Sequence, residues 1–267
     1  MKKRVISAAV MVAVCLPLLL IGKLPFAIAV GVLSLFAYKE IINLRKEGER
    51  QLPIIAVISG LISLLYLVYS NYDGNSLLFG LNYSHLALSL LIVFIPVILI
   101  SDFKLYSPTK ALSMYGMILL VGLGLNMFIS IVNYNLWTFI YLLSITICTD
   151  SFAYFTGRLI GKHKCSKLIS PNKTWEGCIG GSVIGTIIPV ILYVCFIKSN
   201  INVFNLILIT MLLSVIGQFG DLFFSSIKRE YGIKDFSNLI PGHGGILDRI
   251  DSIIFVVIAY LMFHMYL

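Results

Sequence analysis

The sequence predicts an all-α, polytopic integral membrane protein with about nine transmembrane helices and a cytoplasmic N-terminus. Three observations carry that reading. Hydrophobic residues fill 59% of the 267 positions and charged residues only 12%, against roughly 45–50% and about 25% in soluble proteins. The apolar residues are gathered into runs near the ~20 residues that span a bilayer. Lys and Arg collect in alternate loops, as they do on the cytoplasmic side of membranes. A chain this apolar cannot hide its surface from water as a soluble monomer. Disordered, fibrous and nucleic-acid-binding classes are excluded on the same ground.

The expected spans are 5–21, 24–44, 53–69, 85–100, 111–132, 136–157, 177–197, 203–227 and 248–267. The first follows Met1-Lys-Lys-Arg4, which imitates the start of a signal peptide. No small-residue cleavage site follows, so it is expected to stay as a helix. Only Gly22 and Lys23 separate it from the second span. With the N-terminus inside, Lys2, Lys3, Arg4 and the four later inside loops hold 18 of the 20 Lys and Arg. Lys23 and Lys198 alone fall on the other face. This split favours an odd number of spans and puts Leu267 outside. It also explains the net charge of +8 through topology and attraction to anionic lipid heads.

The five cysteines, Cys15, Cys148, Cys165, Cys178 and Cys195, show no two-residue zinc or redox spacing. Four lie in apolar runs, where a thiol packs as a small hydrophobe. No disulfide framework is expected.

Residues 1–135, about five spans, read as a structural, lipid-facing half. Its acidic residues (Glu40, Glu47, Glu49, Asp73 and Asp102) fall in loops or at helix ends and read as solvated. Residues 136–267 read as the catalytic region, with cytoplasmic loops 158–176 and 228–247. Asp150 and Asp221 lie inside apolar runs, where a carboxylate costs about 2.5–3.5 kcal/mol on insertion scales. Each needs a partner, a proton or a metal; the plainer reading is a pair with a neighbouring Lys or Arg, or a carboxylate snorkelling from a helix end. Asp248 and Asp251 open the last span three residues apart, on one helix face. All four carboxylates can converge near the cytoplasmic surface, which favours a metal site.

The loops beside them carry Gly157-Arg158, Lys162-His163-Lys164, Asn172-Lys173, Lys228-Arg229 and Pro241-Gly242-His243-Gly244-Gly245. Lys and Arg neutralise phosphates, and glycine lets backbone approach a ligand. Carboxylates suit magnesium, which bridges them to phosphate. Together they describe a metal–polyphosphate site. Weaker features have plainer readings. Ser225 and Ser226 can bond their own helix backbone, and His243 divides evenly between ligand contact and loop scaffold. Trp175 fits an interfacial anchor better than a base-stacking platform. His85 and His264 are incidental. Gly177, Gly180, Gly181 and Gly185 are expected to permit close helix packing.

The 27 residues from Ser225 to Asp251, including Lys228-Arg229, Lys234-Asp235, Pro241-Gly-His243-Gly244-Gly245 and Asp248-Arg249-Ile-Asp251, resemble the signature of phosphatidate cytidylyltransferases, also called CDP-diacylglycerol synthases. The stretch from Asp150 to Gly177 is similar to the same family. The resemblance implies transfer of CMP from CTP to phosphatidic acid, giving CDP-diacylglycerol and pyrophosphate. It also implies magnesium, with a second cation such as potassium, and a homodimer. Asp221 and Asp248 are then the expected cation ligands, with Asp150 and Asp251 as further or outer acids. Lys228, Arg229 and Arg249 would bind the phosphates, with Ser225 nearby. Arg158, Asn172 and Lys173 would close the site from the other loop. His243, Gly244 and Gly245 would hold the nucleotide. The compact chain leans towards a bacterial plasma membrane, with the site on its cytoplasmic face.

Three rivals fit less well. A transporter would place its carboxylates at the midplane in paired interrupted helices. A CDP-alcohol transferase would carry a multi-aspartate helix that this sequence lacks. A non-catalytic scaffold gives no reason for so many acids, bases and glycines on one rim.

Overall fold

The computed structural model describes residues 13, 17–19, 21–45, 49–70, 83–100, 102–197 and 201–263. Most of the expected first span, 5–21, lies outside them, as do Cys15 and His264. Among the described residues, four helices come first: α1 (Lys23–Ile42), α2 (Ile54–Tyr69), α3 (Tyr83–Ile100) and α4 (Pro108–Tyr134). Then come α5 (Leu136–Ile160), the strands β1 (Lys164–Ser166) and β2 (Ser170–Thr174), α6 (Trp175–Gly185), α7 (Ile187–Phe196), α8 (Val203–Glu230) and α9 (Leu247–Phe263). The protein is an all-α membrane protein. Among the described residues six stretches are long and apolar enough to cross a bilayer: α1, α3, α4, α5, α6 with α7, and α8. The apolar α2 has 16 residues and α9 has 17.

Helix starts follow from local chemistry. Asn135 caps α5 by accepting from Trp137 N at 2.9 Å, and Asn202 caps α8 through Phe204 N at 3.0 Å. Both side chains satisfy backbone donors that the first turn leaves without helical partners. Two features depart from the sequence reading. The seventh span is not one helix but α6 and α7, parted at Thr186. Pro189 has no N–H for the Gly185 carbonyl, and its ring crowds that carbonyl. The Thr186 hydroxyl instead donates to Ser182 O at 2.6 Å. The loop after α5 contains an antiparallel hairpin, pairing Lys164 with Thr174 and Ser166 with Ser170.

The chain divides into two units. The first comprises Met1–Tyr134 with Asp235–Arg249, and the second Asn135–Lys234 with Ile250–Leu267. In the first unit Leu64, Leu67, Ile118 and Leu125 are fully buried. Side chains on one helix bond backbone carbonyls of another. Tyr38 Oη donates to Val57 O at 2.6 Å, and Tyr69 Oη to Ala27 O at 2.9 Å. Asn126 Nδ2 donates to Leu67 O and Val68 O at 3.1 and 3.0 Å. Lipid tails are as apolar as leucine, so packing and such bonds associate spans.

In the second unit α6 lies directly against α5. A Cβ on Gly181 would fall 2.7 Å from Ala153 Cβ and 2.8 Å from Thr149 O. One on Gly185 would lie 2.9 Å from Thr149 Cα, and one on Gly177 2.8 Å from Ala153 O. Glycines at four-residue spacing therefore bring two backbones together, as the sequence suggested. A seam of neutral polar groups joins α5, α6 and α8. Tyr141 Oη meets Thr210 Oγ1 at 2.7 Å, and Thr149 Oγ1 meets Ser214 Oγ at 2.7 Å. Ser214 donates to Ser182 Oγ at 3.1 Å. Gln218 Nε2 donates to Ser182 Oγ at 2.7 Å and to Cys178 O at 3.1 Å.

Candidate active site

Helical periodicity puts residues three, four and seven apart on one face. On α5 this aligns Asp150, Tyr154, Gly157 and Arg158. On α8 it aligns Gln218, Asp221 and Ser225. These two faces, with β2 and the start of α6, enclose a cavity of about 470 Å³ in the second unit. Asp150, Arg158, Asn172, Lys173, Gln218 and Asp221 all line it. The cavity is large enough for a nucleotide.

The hairpin sets Lys173 in place. Trp175 N donates to His163 O at 2.9 Å, and Glu176 accepts from Lys162 N at 3.1 Å and His163 N at 3.2 Å. Thr174 Oγ1 caps α6 by accepting from Gly177 N at 3.2 Å. Closed at its base, the hairpin delivers Lys173 to α8. Its Nζ lies 2.5 Å from Asp221 Oδ2, with each side chain about a quarter exposed. The ammonium nitrogen is buried and bonds the Asp221 carboxylate. An ammonium carries three N–H groups, so two remain for a ligand. Burial works against the charged lysine. The charge and contact of Asp221, with Asp150 further off, outweigh it and raise the pKa above the usual lysine value. Ser225 Oγ donates to Asp221 Oδ1 at 3.3 Å and holds the carboxylate from the next turn.

The remaining residues of the second unit have varied settings. Lys228 is buried at 7% exposure. Asp251 lies within electrostatic reach of Asp221, Lys228 and Asp150, and its Oδ1 accepts from Ser252 N at 2.8 Å. Arg229 ties loops together, with Nε donating to Ile169 O at 3.3 Å and Nη1 to Ile233 O at 2.8 Å. Trp175 is 55% exposed and is not among the cavity-lining residues.

His243, Gly244, Gly245, Asp248 and Arg249 belong to the first unit. Residues 240–243 form a turn closed by His243 N donating to Ile240 O at 2.9 Å. Pro241 precedes Gly242, whose φ of 80° is the left-handed value required at the third position of a type II turn. Gly244, at φ 83°, lets Ile240 N return to its carbonyl at 2.9 Å. Asp248 Oδ2 accepts from Phe236 N and Gly245 N, both at 2.9 Å, so this acid braces the loop ahead of its own helix. Arg249 is exposed.

Glu40 overturns one expectation. It is not solvated but 3% exposed. It accepts from Ser237 Oγ at 2.6 Å and from Ile246 N and Leu247 N at 2.8 Å. A helix-end position looks solvated in sequence because its partners lie about 200 residues away. Gln218 also escaped the sequence reading. The available signal was an amide in an apolar run, three residues before Asp221.

Two carboxylates, Asp150 and Asp221, share the cavity with Arg158, Asn172 and Lys173. Magnesium takes one or two protein carboxylates and fills its other positions with water and phosphate oxygens, so this donor set fits it. Among the described residues no three His, Cys, Asp or Glu side chains form a cluster of metal-site size.

The sequence matches the cytidylyltransferase family over residues 2–267. It is 34% identical over 258 residues to a phosphatidate cytidylyltransferase of Staphylococcus haemolyticus (strain JCSC1435), covering 96% of each chain. It is 36% identical over 258 residues to the protein of that name in Staphylococcus aureus (strain COL), again covering 96% of each. To the Bacillus subtilis (strain 168) protein of that name it is 36% identical over 265 residues, covering 96% of this chain and 95% of the other. With end-to-end similarity added to a phosphate-suited cavity, this chain belongs to the cytidylyltransferase family.

Proposed function

We propose that the chain is a phosphatidate cytidylyltransferase, transferring CMP from CTP to phosphatidic acid to give CDP-diacylglycerol and pyrophosphate. The observation that carries this reading is the buried Lys173 ammonium, held by Asp221 in a cavity that Asp150 and Arg158 also line. Full-length similarity to three proteins of that name supports it.

A lipid phosphate oxygen attacks the α-phosphorus of CTP, and the bond from that phosphorus to the β-phosphate oxygen breaks. The lipid phosphate is already anionic at neutral pH, so no strong base is needed to create the nucleophile. The barrier is the mutual repulsion of two anions and the charge that builds on pyrophosphate. Lys173 and Arg158 offset that charge, in surroundings drier than water where each contact counts for more. Asp221 holds Lys173 and is held in turn by Ser225. Asn172 and Gln218 offer neutral hydrogen bonds. Lys228 brings a further cation near Asp251. Magnesium, held by Asp150 and Asp221, would screen the phosphates and draw them into line.

The finer reading follows the same logic. The acceptor is anchored by acyl chains, and CTP is soluble and cytoplasmic. The cavity therefore opens to the cytoplasmic face of a bacterial cell membrane, the side that the basic loops mark. Nine spans, with the N-terminus inside, satisfy that charge pattern. The working form is a homodimer, and potassium is the second cation. The test is to incubate the purified protein with labelled CTP, phosphatidate and magnesium. Cytidine label should appear in the lipid phase only when phosphatidate is present. Failure to transfer label with all three present would refute the reading.

A further inference from the structure

Gln218 precedes Asp221 by about one turn of α8, and both line the cavity. Three residues of helix rise about 4.5 Å, so the amide and the carboxylate are neighbours along one wall. The amide is held from behind. Its Nε2 donates to Ser182 Oγ at 2.7 Å and to Cys178 O at 3.1 Å, both on α6. A backbone carbonyl can only accept, so the contact with Cys178 fixes which end of the amide faces α6. Ser182 Oγ is steadied in turn by Ser214, which donates to it at 3.1 Å. All of these residues belong to the second unit.

With both N–H groups committed, the oxygen is left over. Among the described residues no donor meets Oε1. The residue is only 8% exposed, yet this oxygen is not sealed inside protein. The open space that Gln218 borders is the cavity. The side chain is therefore a fixed, neutral acceptor offered to whatever the cavity holds. Leaving such an acceptor dry and unmatched beside a ligand would cost free energy.

The chemistry of the two substrates limits the donors that can reach it. Their phosphates are anionic and accept hydrogen bonds. Both glycerol oxygens of phosphatidate beyond its phosphate ester are acylated and carry no hydrogen. The donors that remain are the amino group of cytosine and the ribose hydroxyls. Water on magnesium also donates, but Asp150 and Asp221 are the stronger acceptors for it, because charge-assisted bonds are roughly twice as strong as neutral ones. A neutral amide suits a neutral donor.

We propose that Gln218 is a specificity-determining residue whose Oε1 accepts a hydrogen bond from the nucleoside of CTP, either from the base amino group or from a ribose hydroxyl. This rests on the function proposed above and extends it from the phosphates to the nucleoside.

The experiment uses the full chain in detergent or nanodiscs, with phosphatidate and magnesium held constant. It compares kcat/KM for CTP with that for 2′-deoxy-CTP, for 3′-deoxy-CTP and for the 2-pyrimidinone ribonucleoside triphosphate, which lacks the amino group. Each ratio of CTP to analogue is taken within one preparation, so unfolded molecules cancel. In the native protein one analogue should be poorer than CTP by about tenfold. Gln218→Met keeps the length of the side chain and removes the acceptor. It should lower kcat/KM for CTP about tenfold and bring that ratio to within about twofold of unity. The analogue that behaves this way identifies the donor. Should Gln218→Met fail to fold, Ser182→Ala decides. It frees one anchor of Nε2, keeps Oε1, and should shrink the same ratio about twofold to threefold. Native protein indifferent to all three analogues, or ratios unchanged in the folded variant, overturns the role of Gln218 alone. A raised magnesium requirement with unchanged ratios gives Oε1 to the water shell of the metal and overturns it likewise. A native chain that makes no lipid-soluble cytidine product from CTP overturns the function reading, and the role of Gln218 with it.

Discussion

Removing Lys173 tests the site most directly. The Lys173–Asp221 pair is about a quarter exposed on each side. It therefore lies between surface pairs, worth about 0–1 kcal/mol, and buried pairs, whose disruption costs about 3–5 kcal/mol. Lys173→Ala should destabilise the protein by about 1–3 kcal/mol, mostly by leaving Asp221 without its counter-charge. Its effect on turnover should be larger. A preorganised charge contact in an enclosed site contributes about 3–4 kcal/mol to the transition state, and each 1.36 kcal/mol is about tenfold in rate. Lys173→Ala should therefore lower kcat/KM by roughly 10²–10³-fold. The double variant Lys173→Ala with Asp221→Asn separates the two effects. Neutralising both partners should recover part of the lost stability and none of the lost activity. The assay is transfer of labelled CMP into the lipid phase, alongside thermal unfolding in detergent. Turnover within about threefold of native in Lys173→Ala, or recovery of activity in the double variant, would refute the reasoning and leave Lys173 a structural counter-ion.

Other outcomes follow from the same geometry. Gly181→Ala should push α6 off α5, because its Cβ would meet Ala153 and Thr149 at under 3 Å. The expected cost is about 1–3 kcal/mol, read as faster thermal inactivation in detergent. Asp150→Asn and Asp221→Asn should each raise the magnesium concentration needed for half-maximal rate, and chelation of magnesium should abolish turnover until it is restored. The raised pKa of Lys173 fixes the sign of its pH effect. Its charge, and the stability of its pair, persist below the unfolded lysine value and are lost only as pH rises through the still higher folded value. Native protein and Lys173→Arg should therefore show the same rate profile from neutral pH to about pH 10. An alkaline decline confined to the native protein within that range would count against the pairing.

The spans were legible in the sequence because a bilayer demands long apolar runs, and α1, α3, α4, α5 and α8 meet that demand. The break at Thr186 was harder to see, since Pro189 is tolerated within many apolar segments. Asp150, Asp221, Arg158, Asn172 and Lys173 stood out as acids inside spans and as polar residues in a glycine-bearing loop. Their meeting at one cavity depends on the hairpin, which three-residue and five-residue strands announce too weakly. Glu40 and Gln218 were hidden for different reasons. Glu40 has partners far along the chain, and Gln218 carries no charge to betray the expense of its burial. Asp248 was conspicuous, but its hold on Phe236 and Gly245 depends on turn geometry that spacing does not reveal.

The neutral polar seam running through Thr149, Ser182, Ser214 and Gln218 acts as a vernier between rods. A slide of α8 by one helical turn, about 5.4 Å, would separate each donor from its acceptor, in a medium that offers no water in exchange. The immersion depth of Asp221 is thereby indexed to that of Asp150 without spending any charge. The two acids that line the cavity are kept in register with one another.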